Sequence, residues 1–427
     1  MRKTLAIVFA GGRAQELSVL TFRRPKSAVV FGGRYRMIDF ALTNLANTGS
    51  VENVGILTQY RPSSLVEHVG IGLAWDFVGS CRSIRVLPPH LKLSGSEWYR
   101  GTADALFQNM DYLDLHQPDD VLIVSGDHAY SMSYEPLLRF HQEHGADVTL
   151  AVTPVDVEPS RFGIAEINAE GRIISYMEKP KHPRTNLASM TVYVFRREVL
   201  VDELRRHAHS PQPPKSYHIY DEILPGLIER RRAFGWIHHG RWDYARTLDA
   251  YFQAHQDMLG DPPLVDMGPW NVRTSPWSPR AAVQAPTRHR PGAAVRDSVV
   301  CGDCDIAGTV ERSVLSPGVK VGKGAVVRDS ILWSGTVVEE GAVADKMVCD
   351  KRCVIGKGAV VGHGGESPPN QELPRSLSCG ATVLGMDVRV PEGARIGRNC
   401  ILYPGAGEAE MPSREVPSGD TVRTPAP

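Results

Sequence analysis

The sequence predicts an α/β domain with a doubly wound parallel sheet, followed by a parallel β-helix. Over residues 1–135, short apolar runs alternate with helical patterns, which is typical of a parallel sheet with helices on both faces. From residue 296 onward, short apolar–Gly units recur at a regular step, which is the signature of stacked β-helix coils. The α/β domain, a linker, the β-helix and a flexible tail are expected at 1–260, 261–295, 296–405 and 406–427.

The composition indicates a globular protein without a nucleic-acid partner. Of the 427 residues, 42% are apolar, which suits a chain with a packed core. Lys+Arg and Asp+Glu both number 48, so no basic excess suggests nucleic-acid binding. No apolar run approaches the roughly 20 residues of a membrane span, and the basic start breaks at Gly11 and Gly12 without a cleavage-like segment. A cytoplasmic location without membrane contact is therefore expected.

The first predicted strand, 5–9, leads into a glycine pair that suits a phosphate group. Gly11 and Gly12 have no Cβ, so the backbone can approach anionic oxygens closely, and its N–H groups can cradle them. Positive charge follows at Arg13, Arg23, Arg24 and Lys26. The segment therefore has the features that a nucleoside triphosphate requires.

One residue fits this loop badly. Glu16 places a carboxylate among the predicted phosphate-binding residues. This carboxylate would repel a bound triphosphate: at an effective dielectric constant near 20, two unit charges ~4 Å apart interact by about 4 kcal/mol. Even half of that repulsion would slow a reaction of the triphosphate more than tenfold. Alternatively, Glu16 turns outward and caps the segment that follows.

Further candidate ligands lie at later strand ends. Asp127 closes an apolar run that begins at Val121. Because ligands bind at the carboxyl ends of parallel strands, Asp127 and the glycine pair are expected at one edge, which favours a metal site over a turn or helix-capping aspartate. Glu178 and Lys179 lie among antiparallel strands predicted at 162–166, 173–176 and 191–195. They hold a sugar hydroxyl and a phosphate, or they form a solvated surface pair.

Helices are predicted at 39–47, 102–115, 216–234 and 247–258, with a surface loop at 203–215. The scattered histidines show no metal-ligand spacing. Cys301 and Cys304, like Cys349 and Cys353, have short spacings that allow a zinc site. Their position in repeat sequence favours small buried apolar side chains instead.

The β-helix repeat is regular in spacing. Val321, Val338 and Ile355 begin equivalent units seventeen residues apart, and Val390 begins another thirty-five residues later. Each coil is expected to stack on its neighbour around a column of small aliphatic side chains. The segment 364–375 interrupts the repeat and is predicted to be an exposed loop.

Additional motifs extend along nearly the whole chain. They are Phe31-Gly-Gly-Arg-Tyr-Arg-Met-Ile-Asp-Phe40, Leu57-Thr-Gln-Tyr60, Trp98-Tyr-Arg-Gly-Thr-Ala-Asp-Ala105, Gly126-Asp-His128, Phe162-Gly163, Glu178-Lys-Pro180 and Leu187-Ala-Ser-Met190. Together with the Gly-Gly-Arg loop, they resemble the ADP-glucose pyrophosphorylases, also called glucose-1-phosphate adenylyltransferases. The resemblance implies a Rossmann-like nucleotidyltransferase domain and a left-handed β-helix.

The resemblance also implies a reaction and its residues. ATP and glucose 1-phosphate would give ADP-glucose and pyrophosphate, with Mg²⁺, for glycogen or α-glucan synthesis. Catalytic roles fall to Arg13, Lys26 and Asp127. Nucleotide contacts fall to Ala10, Gly11, Gly12, Gln59, Gly101 and Thr102. Contacts with the glucose phosphate fall to Tyr99, Gly163, Glu178, Lys179 and Ser189, with Lys179 on the phosphate itself.

The same resemblance suggests metal ligands, regulation and assembly. Asp127 and Asp243 would bind Mg²⁺, and Arg34 and Arg36 would respond to small anionic allosteric effectors. The expected assembly is a homotetramer or a hetero-oligomer with a paralogous subunit.

Three stretches depart from the family pattern. Ala14 and Glu16 replace a glycine and an arginine of the loop. In Trp242–Thr247, Asp243 lies one residue further from Thr247 than the family's metal-binding aspartate, and a glycine is missing. Ser216–Asp221 differs from a run that holds the sugar nucleotide. These departures favour a second hypothesis, a non-catalytic or weakly catalytic regulatory subunit. A third is a sugar nucleotidyltransferase of other specificity.

Overall fold

The chain forms two compact units. The first comprises Met1–Gly12 and Ile38–Asp243, and the second comprises Arg13–Met37 and Tyr244–Pro427. Residues 13–37 thus group with the C-terminal half of the chain, although the sequence placed them in a domain spanning 1–260. The computed structural model describes residues 2–79, 81–89, 91–92, 95–96, 98–156, 158–212, 214–243, 245–275 and 285–425.

The core of the first unit is a nine-stranded mixed sheet. In chain order its strands are β1 (Thr4–Phe9), β2 (Val51–Leu57), β3 (Ser83–Leu87), β4 (Asp120–Ser125), β5 (Val148–Pro154), β6 (Gly163–Ile167), β7 (Ile173–Glu178), β8 (Leu187–Arg196) and β9 (Ala233–Ile237). Their order across the sheet is β7-β6-β8-β4-β1-β2-β3, and β5 pairs with β8 and β9. Strands β4, β1, β2 and β3 are parallel, whereas β6, β7 and β8 pair antiparallel. The parallel strands predicted over residues 1–135 and the antiparallel strands predicted between 162 and 195 are both confirmed.

The parallel strands end at one edge of the sheet. Phe9 pairs with Leu57 and with Ser125, and Leu57 pairs with Leu87. Strands β1 and β4 are buried along nearly their whole length, as expected for parallel strands covered on both faces. The turns that follow β1, β2 and β4 therefore begin side by side, at the edge where ligands bind in such sheets.

Helices flank these strands in the chain. They are α1 (Met37–Ala46), α2 (Ser63–Val69), α3 (Thr102–Gln108), α4 (Met110–His116), α5 (Glu135–Glu143), α6 (Arg197–Ala208), α7 (Leu224–Arg230) and, in the second unit, α8 (Leu248–Gln256). A π-helical turn, Ile219–Ile223, precedes α7, and short two-stranded ribbons join Leu91–Lys92 with Gly95–Ser96 and Ala129–Tyr130 with Trp242–Asp243. No helix in the described ranges is long and apolar enough to cross a membrane.

Two helix predictions need correction. The predicted helix 216–234 ends at Arg230, because Ala233–Ile237 has the alternating burial of a strand and forms β9. The predicted loop 203–215 begins inside α6, whose Val199, Leu200 and Leu204 pack into the core. Its basic and histidine-rich outer face concealed that helical pattern.

The second unit is built on a parallel β-helix, and the predicted left-handed β-helix class is confirmed. One sheet contains Arg288–His289, Asp305–Ile306, Lys320–Val321, Val337–Val338, Val354–Ile355 and Arg389–Val390. The second contains Ala294–Arg296, Thr309–Glu311, Val326–Arg328, Val343–Asp345, Val360–Val361, Arg395–Ile396 and Glu415–Val416. The third contains Val299–Val300, Val314–Leu315, Ile331–Leu332, Met347–Cys349, Thr382–Leu384, Ile401–Leu402 and Thr421–Val422.

The interior of this β-helix is a column of small apolar side chains. Val321, Val338, Ile355 and Val390, the repeat positions of the sequence, are all buried in it. Buried cysteines contribute to the same column, as predicted: Cys304, Cys349, Cys353 and Cys400. The interrupting segment 364–375 is mostly exposed, although Asn370 is buried and donates to the carbonyls of Asn399 and Gly419.

The ends of the β-helix differ from the prediction. The segment 406–427, predicted to be a flexible tail, contains the last strands of two sheets, which pair with Arg395–Ile396 and Ile401–Leu402. The predicted linker 261–295 contains the first strands of two sheets, and its residues 276–284 lie outside the described ranges. Two-residue strands among Pro, Ser and charged residues carry too little periodicity to be recognised.

A buried ion pair ties residues 13–37 to the β-helix within the second unit. Arg24 Nη1 and Nη2 donate to the two carboxylate oxygens of Asp350, at 2.6 and 3.0 Å. Both side chains are almost fully buried, and the Arg24 guanidinium lies 5.1 Å from the centre of the Trp333 ring. The sequence suggested Arg24 as a cation for the phosphate-binding loop. In the structure it forms a buried ion pair with Asp350 instead.

Removing Asp350 is expected to destabilise the second unit. Asp350→Ala leaves a buried guanidinium uncompensated, and such losses cost about 3–5 kcal/mol. Chemical denaturation of the full chain measures this change. Glu340→Ala, which removes an exposed partner of Lys357, is the matched control and should cost about 1 kcal/mol or less. Equal losses for both variants would contradict a structural role for the Arg24–Asp350 pair.

Candidate functional site

The turn after β1 brings two glycines to the carboxyl edge of the sheet. A Cβ on Gly11 would lie 2.9 Å from the backbone nitrogen of Gln59, so only glycine allows this approach to the end of β2. The backbone there is also bonded: Ala10 N donates to Leu57 O at 2.9 Å. Gly12, in contrast, is exposed, and nothing lies within 4 Å of where its Cβ would be. Gly11 therefore packs against the end of β2, whereas the backbone at Gly12 is accessible to a ligand.

Gln59 fixes the segment that contains Tyr99. Its Nε2 donates to Tyr99 O at 3.1 Å, and its Oε1 accepts from Tyr99 N at 2.8 Å. The Tyr99 hydroxyl is buried and donates to Leu87 O at 3.2 Å. Burial raises the pKa of this phenol. The two residues, assigned from the resemblance to adenine and to sugar phosphate, therefore form one rigid connection along the sheet edge.

The Gly101–Thr102 turn docks on the segment before the π-helical turn. A Cβ on Gly101 would lie 2.3 Å from Tyr217 O, so the close backbone approach requires glycine. Thr102 Oγ1 accepts from Ile219 N at 3.0 Å, and Thr102 N donates to His218 Nδ1 at 3.4 Å. The start of α3 is thereby held against residues more than a hundred positions later.

A niche beside Gly163 collects the polar groups predicted to bind the sugar phosphate. A Cβ there would lie 2.1 Å from the Tyr176 hydroxyl and 2.7 Å from Glu178 Oε2. The Tyr176 hydroxyl donates to Glu178 Oε2 at 3.2 Å, and Lys179 Nζ lies 3.3 Å from Glu178 Oε1. Lys179 has φ 47°, a left-handed conformation that turns the chain at the end of β7.

This niche continues into the sheet through Ser189. The Ser189 hydroxyl donates to the Tyr193 hydroxyl at 3.5 Å, and Tyr193 in turn interacts with Tyr176 and Glu178. Burial raises the pKa of Tyr193 to about 12, and the pKa of Tyr176 is raised well above its ordinary value for the same reason. Both phenols therefore stay protonated near neutral pH and act as hydrogen-bond donors. The structure brings together Gly163, Glu178, Lys179 and Ser189, four of the five predicted sugar-phosphate residues.

His218 is a candidate functional residue that the sequence reasoning missed. Besides accepting from Thr102, its ring stacks on Tyr220 at 4.9 Å between centres. Burial lowers its pKa, Lys179 lowers it further, and Asp221 and Glu178 oppose this. His218 thus accepts from the Gly101–Thr102 turn and lies within electrostatic range of Glu178 and Lys179. The only signal for it was its place in the stretch that departs from the family pattern.

Asp127 lies at the end of β4 in a polar setting. Its Oδ1 accepts a hydrogen bond from Ser125 Oγ and lies 3.4 Å from His128 Nε2. Trp242 Nε1 donates to His128 Nδ1 at 3.2 Å, so the neutral imidazole carries its proton on Nε2, toward Asp127. Ser125 and His128 therefore orient this carboxylate, with Trp242 holding the imidazole, and the carboxylate stays partly exposed.

Two predicted Mg²⁺ ligands, Asp127 and Asp243, lie close to each other along the backbone. Asp243 pairs with Ala129 in a two-stranded ribbon, two residues along from Asp127. Carboxylate oxygens suit Mg²⁺, which typically uses one or two of them together with phosphates and water. No group of three or more His, Cys, Asp or Glu side chains suited to a metal ion occurs in the described part of the chain. Asp127 thus offers one carboxylate of the type that Mg²⁺ prefers, and a phosphate substrate and water would have to supply the other ligands.

The remaining predicted residues belong to the second unit. Arg13 and Arg34 are exposed, whereas Lys26 and Arg36 are buried. Glu16 lies within the 3₁₀ segment Gln15–Thr21 and does not cap it. Its Oε1 accepts from Arg246 Nε at 3.1 Å. Arg246 occupies the stretch in which the sequence lacks a glycine.

Comparison with known proteins gives consistent results along the chain. The nucleotidyl transferase family model matches residues 5–260, and a GlmU-like C-terminal hexapeptide model matches residues 279–372. A glucose-1-phosphate adenylyltransferase of Thermomicrobium roseum is 42% identical over 99% of this chain and 98% of its own. One from Acetivibrio thermocellus is 38% identical over the same shares. One from Bacillus cereus is 38% identical over 84% of this chain and 95% of its own.

The niche at Gly163 gives a direct test of the predicted sugar-phosphate contacts. Gly163→Ala displaces the Tyr176 hydroxyl and Glu178, and misplacements near 1 Å cost up to roughly a hundredfold. Binding of glucose 1-phosphate should therefore weaken at least about tenfold, while ATP binding is retained. Isothermal titration of each ligand measures both. Gly49→Ala is the matched control, because the nearest atom lies 3.8 Å from its Cβ position. Unchanged sugar-phosphate binding in Gly163→Ala would contradict the assignment.

Proposed function

The chain belongs to the glucose-1-phosphate adenylyltransferase family, and on that premise we propose that it makes ADP-glucose and pyrophosphate from ATP and glucose 1-phosphate. One observation of the structure carries the proposal. Within the first unit, His218 accepts a hydrogen bond from Thr102 N, and the charges of the Glu178–Lys179 ion pair act on its imidazole. One predicted nucleotide residue and two predicted sugar-phosphate residues therefore lie around His218, which supports transfer between two bound substrates.

The proposed reaction is an attack on the α-phosphorus of ATP. A phosphate oxygen of glucose 1-phosphate forms the new P–O bond, and the bond from the α-phosphorus to the bridging oxygen breaks as pyrophosphate leaves. Lys179 is proposed to hold the phosphate of the attacking substrate, with Glu178 and Ser189 on the sugar hydroxyls. The backbone at Gly12 is proposed to cradle the triphosphate. As in phosphoryl transfer generally, positioning and charge neutralisation would supply most of the rate.

Magnesium would be held by Asp127 and Asp243, and when bound it would neutralise charge on the phosphates. Ser125 and His128 orient the Asp127 carboxylate. Arg13 and Lys26 stay proposed as cations for the triphosphate. The physiological role in glycogen or α-glucan synthesis follows from the product, and tetrameric assembly and a cytoplasmic location remain predictions.

Small anionic effectors are proposed to act through Arg34 and Arg36. Arg34 lines a cavity of about 670 Å³ in the second unit, together with Tyr35, Asn271 and Gly302. Burial, together with the positive charges of Arg36 and Arg24, lowers the pKa of Lys351 to about 7. Because Arg24 is paired with Asp350, the support for an anionic effector is the positive charge of Arg36 and Lys351.

Lys179 offers a test of the reaction. Lys179→Met removes a charged hydrogen bond worth about 1.5–3 kcal/mol, so the KM for glucose 1-phosphate should rise roughly tenfold to a hundredfold. The assay follows ADP-glucose and pyrophosphate formed by the purified protein with Mg²⁺. Lys181→Met, at an exposed neighbouring lysine, should behave as the wild type. A wild-type protein that binds both substrates without forming ADP-glucose would overturn the proposal in favour of the regulatory-subunit hypothesis.

The pKa of Lys351 predicts how anion binding depends on pH. The lysine is charged below about pH 7 and loses that charge as the pH rises further. Sulfate, whose own charge is constant in this range, should therefore bind more tightly at pH 6 than at pH 8, by up to about tenfold. Isothermal titration measures the ratio. Lys351→Met should abolish the difference, whereas Lys357→Met at an exposed site should keep it. Equal sulfate affinity of the wild type at both pH values would contradict this expectation.

A further inference from the structure

The ion pair between Glu16 and Arg246 joins two segments that each follow a predicted substrate motif. Glu16 Oε1 and Arg246 Nε are 3.1 Å apart, and each side chain is about one-third exposed. Along the chain, Glu16 comes four residues after Gly12, and Arg246 comes three residues after Asp243. The Glu16 carboxylate, which fits a phosphate-binding loop badly, is therefore paired with the guanidinium of Arg246, 230 residues later in the chain.

Both partners are held on ordered backbone. Glu16 lies in the 3₁₀ segment Gln15–Thr21, whose Leu17 and Leu20 are buried. The Thr21 hydroxyl donates to Ala14 O at 2.7 Å and closes this segment on itself. Since the backbone on both sides of Glu16 is held in place, its carboxylate stays within reach of Arg246.

Arg246 is fixed from the other side. It immediately precedes Thr247, whose Oγ1 accepts from Ala250 N at 3.1 Å and caps the N-terminus of α8. Leu248 and Tyr251 anchor that helix by burial. Arg246 thus lies one residue before the N-cap of α8, and its backbone is anchored on the C-terminal side by this helix.

Folding stability does not account for the pair. Ion pairs that remain this exposed contribute little to stability, because water screens them and ordering two long side chains costs entropy. A triphosphate, in contrast, is repelled strongly by a nearby uncompensated carboxylate. The location of Glu16, just after the Gly11–Gly12 turn, makes its net charge relevant to nucleotide binding.

We propose that Arg246 is a positioning residue for the nucleotide, because it neutralises Glu16 and so allows the loop after Gly12 to accept the triphosphate of ATP. This inference rests on the proposed function in one respect, namely that the loop binds ATP. It concerns affinity for a nucleoside triphosphate and is independent of whether the protein turns that substrate over.

The test is ATP binding by the full-length protein, measured by isothermal titration without glucose 1-phosphate. Arg246→Gln should raise the Kd for ATP at least tenfold, because Glu16 then stays negative and uncompensated. Glu16→Gln should bind ATP as tightly as the wild type or more tightly. The double variant Glu16→Gln/Arg246→Gln should return to within about threefold of the wild type, and Arg246→Lys should retain most of the affinity.

Two controls separate this role from a structural one. Arg312→Gln breaks a surface pair with Asp329 in the β-helix and changes the net charge equally, so ATP affinity should not change. The melting temperature and the Kd for glucose 1-phosphate should change little in Arg246→Gln, since neither depends on the charge of Glu16.

The outcomes distinguish this inference from the proposed function. An unchanged Kd for ATP in Arg246→Gln, or a double variant as weak as the single one, would overturn the inference even if ADP-glucose is formed normally. A rescue by the double variant would support it even if the protein forms no ADP-glucose, which would overturn the proposed function alone. A wild-type protein that does not bind ATP would overturn both.

Discussion

The candidate site depends on close approach at three glycines. A Cβ at Gly11 or Gly101 would lie 2.9 Å from Gln59 N or 2.3 Å from Tyr217 O, so backbone excludes it, and a Cβ at Gly163 would lie 2.1 Å from the Tyr176 hydroxyl and displace that side chain. Each approach brings one segment of the chain against polar groups of another. The hydrogen bonds of Gln59, Thr102 and Glu178 become possible only because these contacts are tight.

A second set of buried polar contacts organises the other unit. Tyr251 in α8 donates to Val30 O at 2.6 Å and accepts from Trp333 Nε1 at 3.1 Å. His255, whose pKa is lowered to about 4 by burial, stays neutral and accepts from Gly32 N at 3.1 Å. With the Arg24–Asp350 pair, these bonds connect the early segment 13–37 to α8 and the β-helix. They explain why an N-terminal stretch groups with the C-terminal half of the chain.

Local patterns predicted much of the fold, because buried strands and stacked coils repeat with short periods. The apolar runs of β1 and β4 and the spacing from Val321 to Ile355 are visible without tertiary information. The short strands at 415–416 and 421–422 were missed, because two residues give no measurable period. Motifs located the Gly163 niche, whereas His218 had no distinguishing spacing. The partner of Glu16 was unpredictable for a different reason: 230 residues separate it from Arg246, and only the folded chain brings them together.

The central claim is that one polar edge of the first unit binds both the nucleotide and the sugar phosphate. Hydrogen–deuterium exchange of the full-length protein, with and without ADP-glucose, tests it most directly because it reports on each segment separately. The account predicts slower exchange in three separate segments, at 11–12, 99–103 and 176–180. Protection confined to one of these segments, or found only in the β-helix, would contradict it.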